Sequence, residues 1–68
     1  MTNTTLLERF ISQSGYKKSY LAKSLGITVF TLSQKINNKV EFWASEIDKL
    51  CELLDIGIND RMVIFFAK

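Results

Sequence analysis

The rarity of helix-breaking residues constrains this chain most, since its 68 residues contain no proline and only three glycines. Proline and glycine are the residues that helix interiors tolerate least. Elsewhere apolar residues recur three and four positions apart, which places them on one face of a helix. We therefore expect an all-α fold, a small bundle of four to five helices. A chain of this length buries only about 60% of its unfolded surface, so it has room for a single domain.

Capping residues predict where the first helices begin and end. Thr5 and Glu8 have the spacing of a capping box, in which each side chain accepts a hydrogen bond from the other residue's backbone N–H. Gly15 and Gly26 can end helices by adopting a positive φ that other residues resist. Thr28 can cap the helix that follows Gly26. The predicted helices cover about residues 6–14, 18–25 and 29–37.

Four apolar residues at positions i, i+3, i+4 and i+7 predict a fourth helix, because this spacing places them on one inward face. This helix begins either at Glu46 or a turn earlier, near Trp43. The tail over residues 58–68 can form a short fifth helix capped by Asn59, or a strand because it is rich in Val, Ile and Phe. The inward residues of the fourth helix are Ile47, Leu50, Cys51 and Leu54.

The composition argues against an enzyme. Histidine is absent and Cys51 is the only cysteine, so neither an internal disulfide nor a thiol–imidazole pair nor a metal site is predicted. The seven carboxylates are scattered as on helix surfaces and do not suggest a paired acid and base. We expect no catalytic residue, no cofactor, no metal and no small-molecule ligand.

No segment of the sequence suggests a membrane protein. The first residues lack a basic region followed by an apolar stretch of signal-peptide length. The longest apolar run, from Met62 to Ala67, is far below the about 20 residues that a membrane helix needs. We expect a cytoplasmic protein that does not bind membranes.

Charge is segregated along the chain. Residues 9–40 contain six lysines and arginines and no acid, whereas residues 41–60 contain six acids and one lysine. A basic block of this length makes one side of a domain attractive to a polyanion, and the acidic block keeps the other side away from it. The alternative is two ordinary solvated faces whose charges happen to segregate.

A recognisable motif lies in the basic block. Residues 21–28 read LAKSLGIT and are followed by Leu32, Ile36 and the run 37–39, NNK. This pattern resembles the DNA-binding domain of the phage Cro and repressor helix-turn-helix family. The resemblance covers about residues 17–56 and implies a lambda-repressor-like fold with its helix-turn-helix at 18–37. The short chain is similar to small Cro-like regulators of phages or prophages of Gram-positive bacteria.

The third helix is implied to read bases, because this family places the second helix of the motif in the major groove. Its outward face is polar except for Phe30, while Leu32 and Ile36 face inward with Val29 beside them. Gln34 can pair with adenine, and Phe30 can contact a thymine methyl group. Alternatively, Val29 is partly buried and Phe30 packs in the core or binds a protein. The implied base-reading residues are Thr28, Val29, Phe30, Thr31, Ser33 and Gln34.

Cations and polar groups around the motif are implied to contact phosphates. Lys18 matches the first residue of the family's second helix, which is commonly glutamine. Trp43 matches the start of the next helix, where it can donate its indole N–H to a phosphate or simply pack. Lys17 stands where the family usually has a hydroxyl cap. The implied phosphate contacts are Lys17, Lys18, Lys35, Asn37, Asn38, Lys39 and Trp43.

These residues predict a transcriptional regulator that binds double-stranded operator DNA. A domain this small reaches useful affinity most simply as a homodimer on two half-sites about 34 Å apart. The apolar tail predicts the dimer contacts, because an exposed apolar tail needs a partner. These contacts are Ile64, Phe65 and Phe66.

A second hypothesis is a helix-turn-helix protein that holds a partner regulator instead of DNA. The long acid-free stretch argues against it, since a protein interface does not require one. The surface predicted for this partner consists of Val29, Phe30, Phe42 and Trp43.

Overall fold

Helices make up most of residues 1–66, which are the residues that the computed structural model describes. Within those residues there are five helices and no strand. The all-α prediction is confirmed, and the tail forms a helix instead of a strand. Residues 67 and 68 of the predicted tail lie outside the described residues. The helices are α1 (Thr4–Ser14), α2 (Lys18–Leu25), α3 (Val29–Ile36), α4 (Ala44–Leu54) and α5 (Ile58–Phe65).

Each helix contributes at least one fully buried side chain to a single core. Because the apolar residues recur at helical spacing, one stripe of each helix faces this core. Helix α2 packs on α3 and α4, while α1 packs on α3, α4 and α5. Cys51 is buried, and burial raises the pKa of its thiol, so it serves as a small core hydrophobe as predicted. The central residues are Leu7, Leu21, Leu32, Ile36, Leu50 and Ile64.

The start of α1 differs from the prediction. The helix begins at Thr4, and the Oδ1 atom of Asn3 accepts the capping hydrogen bond from the Leu6 N–H at 3.1 Å. The capping box of Thr5 and Glu8 is therefore wrong. Asparagine caps helices as well as threonine does, so the choice depends on other contacts. The Asn3 N–H also donates to the carbonyl of Ile64 at 2.6 Å, which holds the segment before α1 against α5.

The helix ends around α2 and α3 follow the sequence signals. Gly15 and Gly26 end their helices with φ values of 78° and 75°. The Thr28 hydroxyl accepts a hydrogen bond from the Thr31 N–H at 3.0 Å and caps α3, as predicted. Asn38 takes the predicted left-handed conformation, with a φ of 65°.

The ends of α4 and α5 resolve the alternatives that the sequence left open. Helix α4 takes the earlier start, with Trp43 as its N-cap residue. Helix α5 follows Gly57 and begins at Ile58, so the predicted cap by Asn59 is wrong. Within residues 1–66, no helix is long and apolar enough to cross a membrane.

Two of the three predicted dimer residues lie in the core of a single copy. Ile64 is 0% exposed and Phe65 is 6% exposed, so both pack within a single copy, and the prediction that they form an exposed apolar tail is wrong. Phe65 packs edge-on against Phe42 with ring centroids 5.5 Å apart. The side of α5 that carries Ile64 thus faces inward. Only Phe66 of the three is exposed.

The observed cap of α1 predicts different effects for two neighbouring substitutions. Asn3→Ala removes the acceptor for the Leu6 N–H and should lower the free energy of unfolding by about 0.5–2 kcal/mol. Thr5→Ala should change it by less than about 0.5 kcal/mol, because this side chain is exposed. Urea denaturation followed by circular dichroism measures both. A larger loss of stability for Thr5→Ala than for Asn3→Ala would indicate that the capping box of Thr5 and Glu8 forms after all.

Candidate nucleic-acid interface

Helices α2 and α3 are joined by a tight turn around Gly26. Its N–H donates to the carbonyl of Lys23 at 3.1 Å, and the Ile27 N–H donates to the carbonyl of Ala22 at 3.0 Å. Both bonds satisfy carbonyls that the end of α2 leaves without helical partners. Leu32 is fully buried and holds α3 against the core. The opposite face of α3 is thereby left toward solvent.

Two apolar side chains project from the start of α3. Phe30 is 72% exposed and Val29 is 44% exposed. Phe30 therefore does not pack in the core. Val29 lies outside the core but has more than half of its surface covered, which agrees with the alternative of partial burial. Phe30 is the most exposed large apolar side chain of α3. Thr28 is also exposed, while Thr31, Ser33 and Gln34 are half-buried.

The polar side chains of α3 differ in whether their hydrogen-bond donors and acceptors are already paired. Thr28 and Thr31 bond to each other through their hydroxyl oxygens at 3.0 Å. Asn37 donates its amide to the carbonyl of Ser33 at 2.9 Å. Within residues 1–66, the side chains of Ser33 and Gln34 make no hydrogen bond, so their donors and acceptors remain available for a ligand.

Lys35 is not a phosphate contact, which corrects the sequence interpretation. Its side chain is 4% exposed, and its Nζ atom lies 2.5 Å from Oε1 of Glu46. The same ammonium lies 5.0 Å from the ring centre of Trp43, within reach of a cation–π interaction. A phosphate cannot approach an amine that is covered and already paired.

Glu46 is a structural residue that the sequence interpretation missed. Besides pairing with Lys35, its Oε1 accepts a hydrogen bond from the Trp43 N–H at 2.8 Å. One buried carboxylate therefore connects the last turn of α3 to the first turn of α4. Its position three residues after the N-cap was the available sequence signal, because an acidic side chain there can reach back to the N-cap amide.

The remaining predicted phosphate contacts divide into engaged and available groups. Lys18 is half-buried and pairs with Glu8 at 2.9 Å. The Asn38 side chain accepts from the Thr2 N–H at 2.8 Å and donates to the Thr2 carbonyl at 2.9 Å, so it ties down the N-terminal segment. The available groups are exposed in the structure: Lys17, Lys39 and the Trp43 ring.

A pair of tyrosines beside Lys17 was not predicted. Tyr16 and Tyr20 stack with ring centroids 5.0 Å apart, and both are exposed. Tyr16 precedes α2 and Tyr20 lies in its first turn, so no helical spacing predicted their contact.

The buried pair of Lys35 and Glu46 predicts that removing one partner lowers the stability of the fold, because the other charge is then buried without a partner. Lys35→Met should lower the free energy of unfolding by about 3–5 kcal/mol, because the Glu46 carboxylate stays buried without its cation. Adding Glu46→Gln should recover part of the loss, since an amide still accepts from Trp43 and carries no charge. Lys39→Met is the control at an exposed lysine and should cost less than about 0.5 kcal/mol. Equal costs for Lys35→Met and Lys39→Met in urea denaturation would contradict this account.

Comparison with known proteins identifies a family without assigning an activity. The sequence model of the family described as "Protein of unknown function (DUF739)" matches residues 3–68. The chain belongs to this family. No curated protein and no solved structure matches it significantly.

Proposed function

We propose that this member of the DUF739 family is a sequence-specific DNA-binding regulator that binds operator DNA as a homodimer. The observation that carries the proposal is the arrangement of α2 and α3, two eight-residue helices joined by a short turn at Gly26, with one face of α3 open to solvent. A short turn containing glycine between two helices supports a helix-turn-helix arrangement. The resemblance of residues 17–56 to the phage Cro and repressor family supports a lambda-repressor-like domain.

In this proposal α3 lies in the major groove and reads bases through two kinds of contact. The unused amide of Gln34 pairs with N6 and N7 of an adenine. Phe30, which no other part of the described chain covers, packs against the methyl group of a thymine. Thr28, Val29 and Ser33 flank these two residues on the same helix.

Phosphate contacts come from the exposed cations of the basic block. Lys17 and Lys39 lie beside the two ends of the α2–α3 unit, and the Trp43 indole N–H makes no hydrogen bond within residues 1–66. These groups orient the protein on the duplex without reading sequence. Lys18 can contact a phosphate only if its ion pair with Glu8 breaks. DNA binding of this kind takes place in the cytoplasm and requires neither a cofactor nor a metal.

One observation favours a second function, a module that holds a partner regulator. Four large apolar side chains between residues 29 and 43 are exposed, which is more than a surface for phosphates requires. An exposed apolar patch commonly marks a protein interface. These side chains are Val29, Phe30, Val40 and Trp43. Phe42, which the sequence interpretation placed on this surface, is 9% exposed and lies in the core. Failure of the purified protein to enrich any duplex from a random pool would favour this function.

The contact between Phe30 and thymine is tested on the operator that such a selection yields. Replacing the contacted thymine by uracil removes one methyl group and should weaken binding about fourfold, the value of one buried carbon. The Phe30→Ala variant should bind both duplexes equally, because it lacks the contacting ring. Fluorescence anisotropy measures the four affinities. A uracil outside the protected site is the control, and an undiminished uracil effect in Phe30→Ala would reject the contact.

The phosphate contacts are tested through the salt dependence of the same affinity. Lys17→Ala and Lys39→Ala should each weaken binding to all duplexes and reduce the slope of log affinity against log salt by about 0.9. Lys49→Ala is the matched control, because Lys49 is an exposed lysine on α4 within the acidic block. If Lys49→Ala changes the slope as much as the other two, the basic block is not the DNA-binding surface.

A further inference from the structure

Helix α5 is apolar on two sides, although only one side meets the core. Ile64 and Phe65 are buried, whereas four further apolar residues of α5 and its C-cap are between 45% and 70% exposed. At 100° per residue these four fall within an arc of about 140°, which also contains Asn59. We call these four residues the outer stripe: Ile58, Met62, Val63 and Phe66.

A groove lies directly beside the outer stripe. It has a volume of about 790 Å³, and Phe42, Ile47 and Phe65 contribute apolar lining. Val63 and Phe66 belong to both the groove and the outer stripe, so the two features form one continuous surface. Among the described residues that line the groove, Glu41 has the one charged side chain, and Thr2 and Asn3 add polar ones.

We propose that the outer stripe and this groove form the surface through which two copies of the chain associate. This inference rests on the homodimer of the proposed function and identifies its interface. In a two-fold dimer the same patch of both copies meets itself. A ridge beside a groove is self-complementary under such an axis, because the ridge of each copy enters the groove of the other.

The size of the chain and its charges fit a second copy as the occupant. A stable interface takes about 800 Å² from each partner, less than one fifth of the 4503 Å² surface of this chain. The outer stripe carries no charge, and the nearby Arg61 and Asp48 already form an ion pair within one copy. Charge depletion at the centre is the compositional signature of interfaces.

Association through this surface leaves the proposed DNA-binding helix uncovered. No residue of α3 lines the groove. Both α3 and α5 pack on α1 within one domain. A dimer formed here can therefore present two copies of α3 to the same duplex.

The interface is tested by sedimentation equilibrium of the full chain without DNA, using a matched pair of substitutions. Val63 and Val29 are 45% and 44% exposed, but only Val63 lies in the outer stripe. Val63→Glu should raise the dimer dissociation constant at least about tenfold, because it buries a carboxylate in the interface. Val29→Glu should leave the constant unchanged. Phe66→Ala, which introduces no charge, should also weaken association, and circular dichroism establishes that each variant is folded.

Each outcome separates the interface from the DNA-binding function. A wild-type chain that stays monomeric to about 1 mM, or dimers that Val63→Glu and Phe66→Ala leave intact, would overturn the inference. Loss of the dimer in Val29→Glu alone would move the interface to α3 and overturn it as well. A monomer that still selects one DNA half-site refutes the interface and leaves DNA recognition standing. Dimers that are sensitive to Val63→Glu but select no duplex support the interface and count against the regulator.

Discussion

The carboxylate of Glu46 connects the two helices on which the candidate interface depends. It accepts hydrogen bonds from the Lys35 ammonium in the last turn of α3 and from the Trp43 N–H at the start of α4. Because both charges are buried, separating them would leave an uncompensated charge in a low-dielectric region. The pair therefore opposes displacement of α3 from α4, in addition to the burial of Leu32 and Ile36.

The same ion pair changes the surface that a nucleic acid would meet. Of the six cations in residues 9–40, Lys35 is buried with Glu46 and Lys18 is bound to Glu8. The remaining cations are exposed, while Phe30 and Trp43 add apolar area to the same part of the chain. A single copy thus offers few phosphate contacts, and a second copy would double them, which links the proposed operator binding to association through α5. The exposed cations are Arg9, Lys17, Lys23 and Lys39.

Helix ends were predictable where one residue carried the whole signal. Gly26 and Thr28 act on backbone groups within one turn, so their neighbours in sequence suffice to place them. The start of α1 was not predictable in this way, because Asn3 and Thr5 are both good caps. Contacts distant in sequence accompany the observed choice: the Thr4 hydroxyl donates to the carbonyl of Ile36 at 2.6 Å, and the Asn3 N–H donates to Ile64.

The sequence by itself determined that the chain is helical, that α3 turns Leu32 and Ile36 inward, and that Phe30 and Gln34 lie on its other side. These properties follow from the helical repeat and from local caps. Only the tertiary structure decided that Lys35, Ile64 and Phe65 are buried. The sequence interpretation had placed each of them on the surface. Whether a side chain at the edge of an apolar stripe is buried depends on which helix packs beside it. For Lys35 that neighbour is Glu46, eleven residues away, and for α5 it is α1 at the other end of the chain.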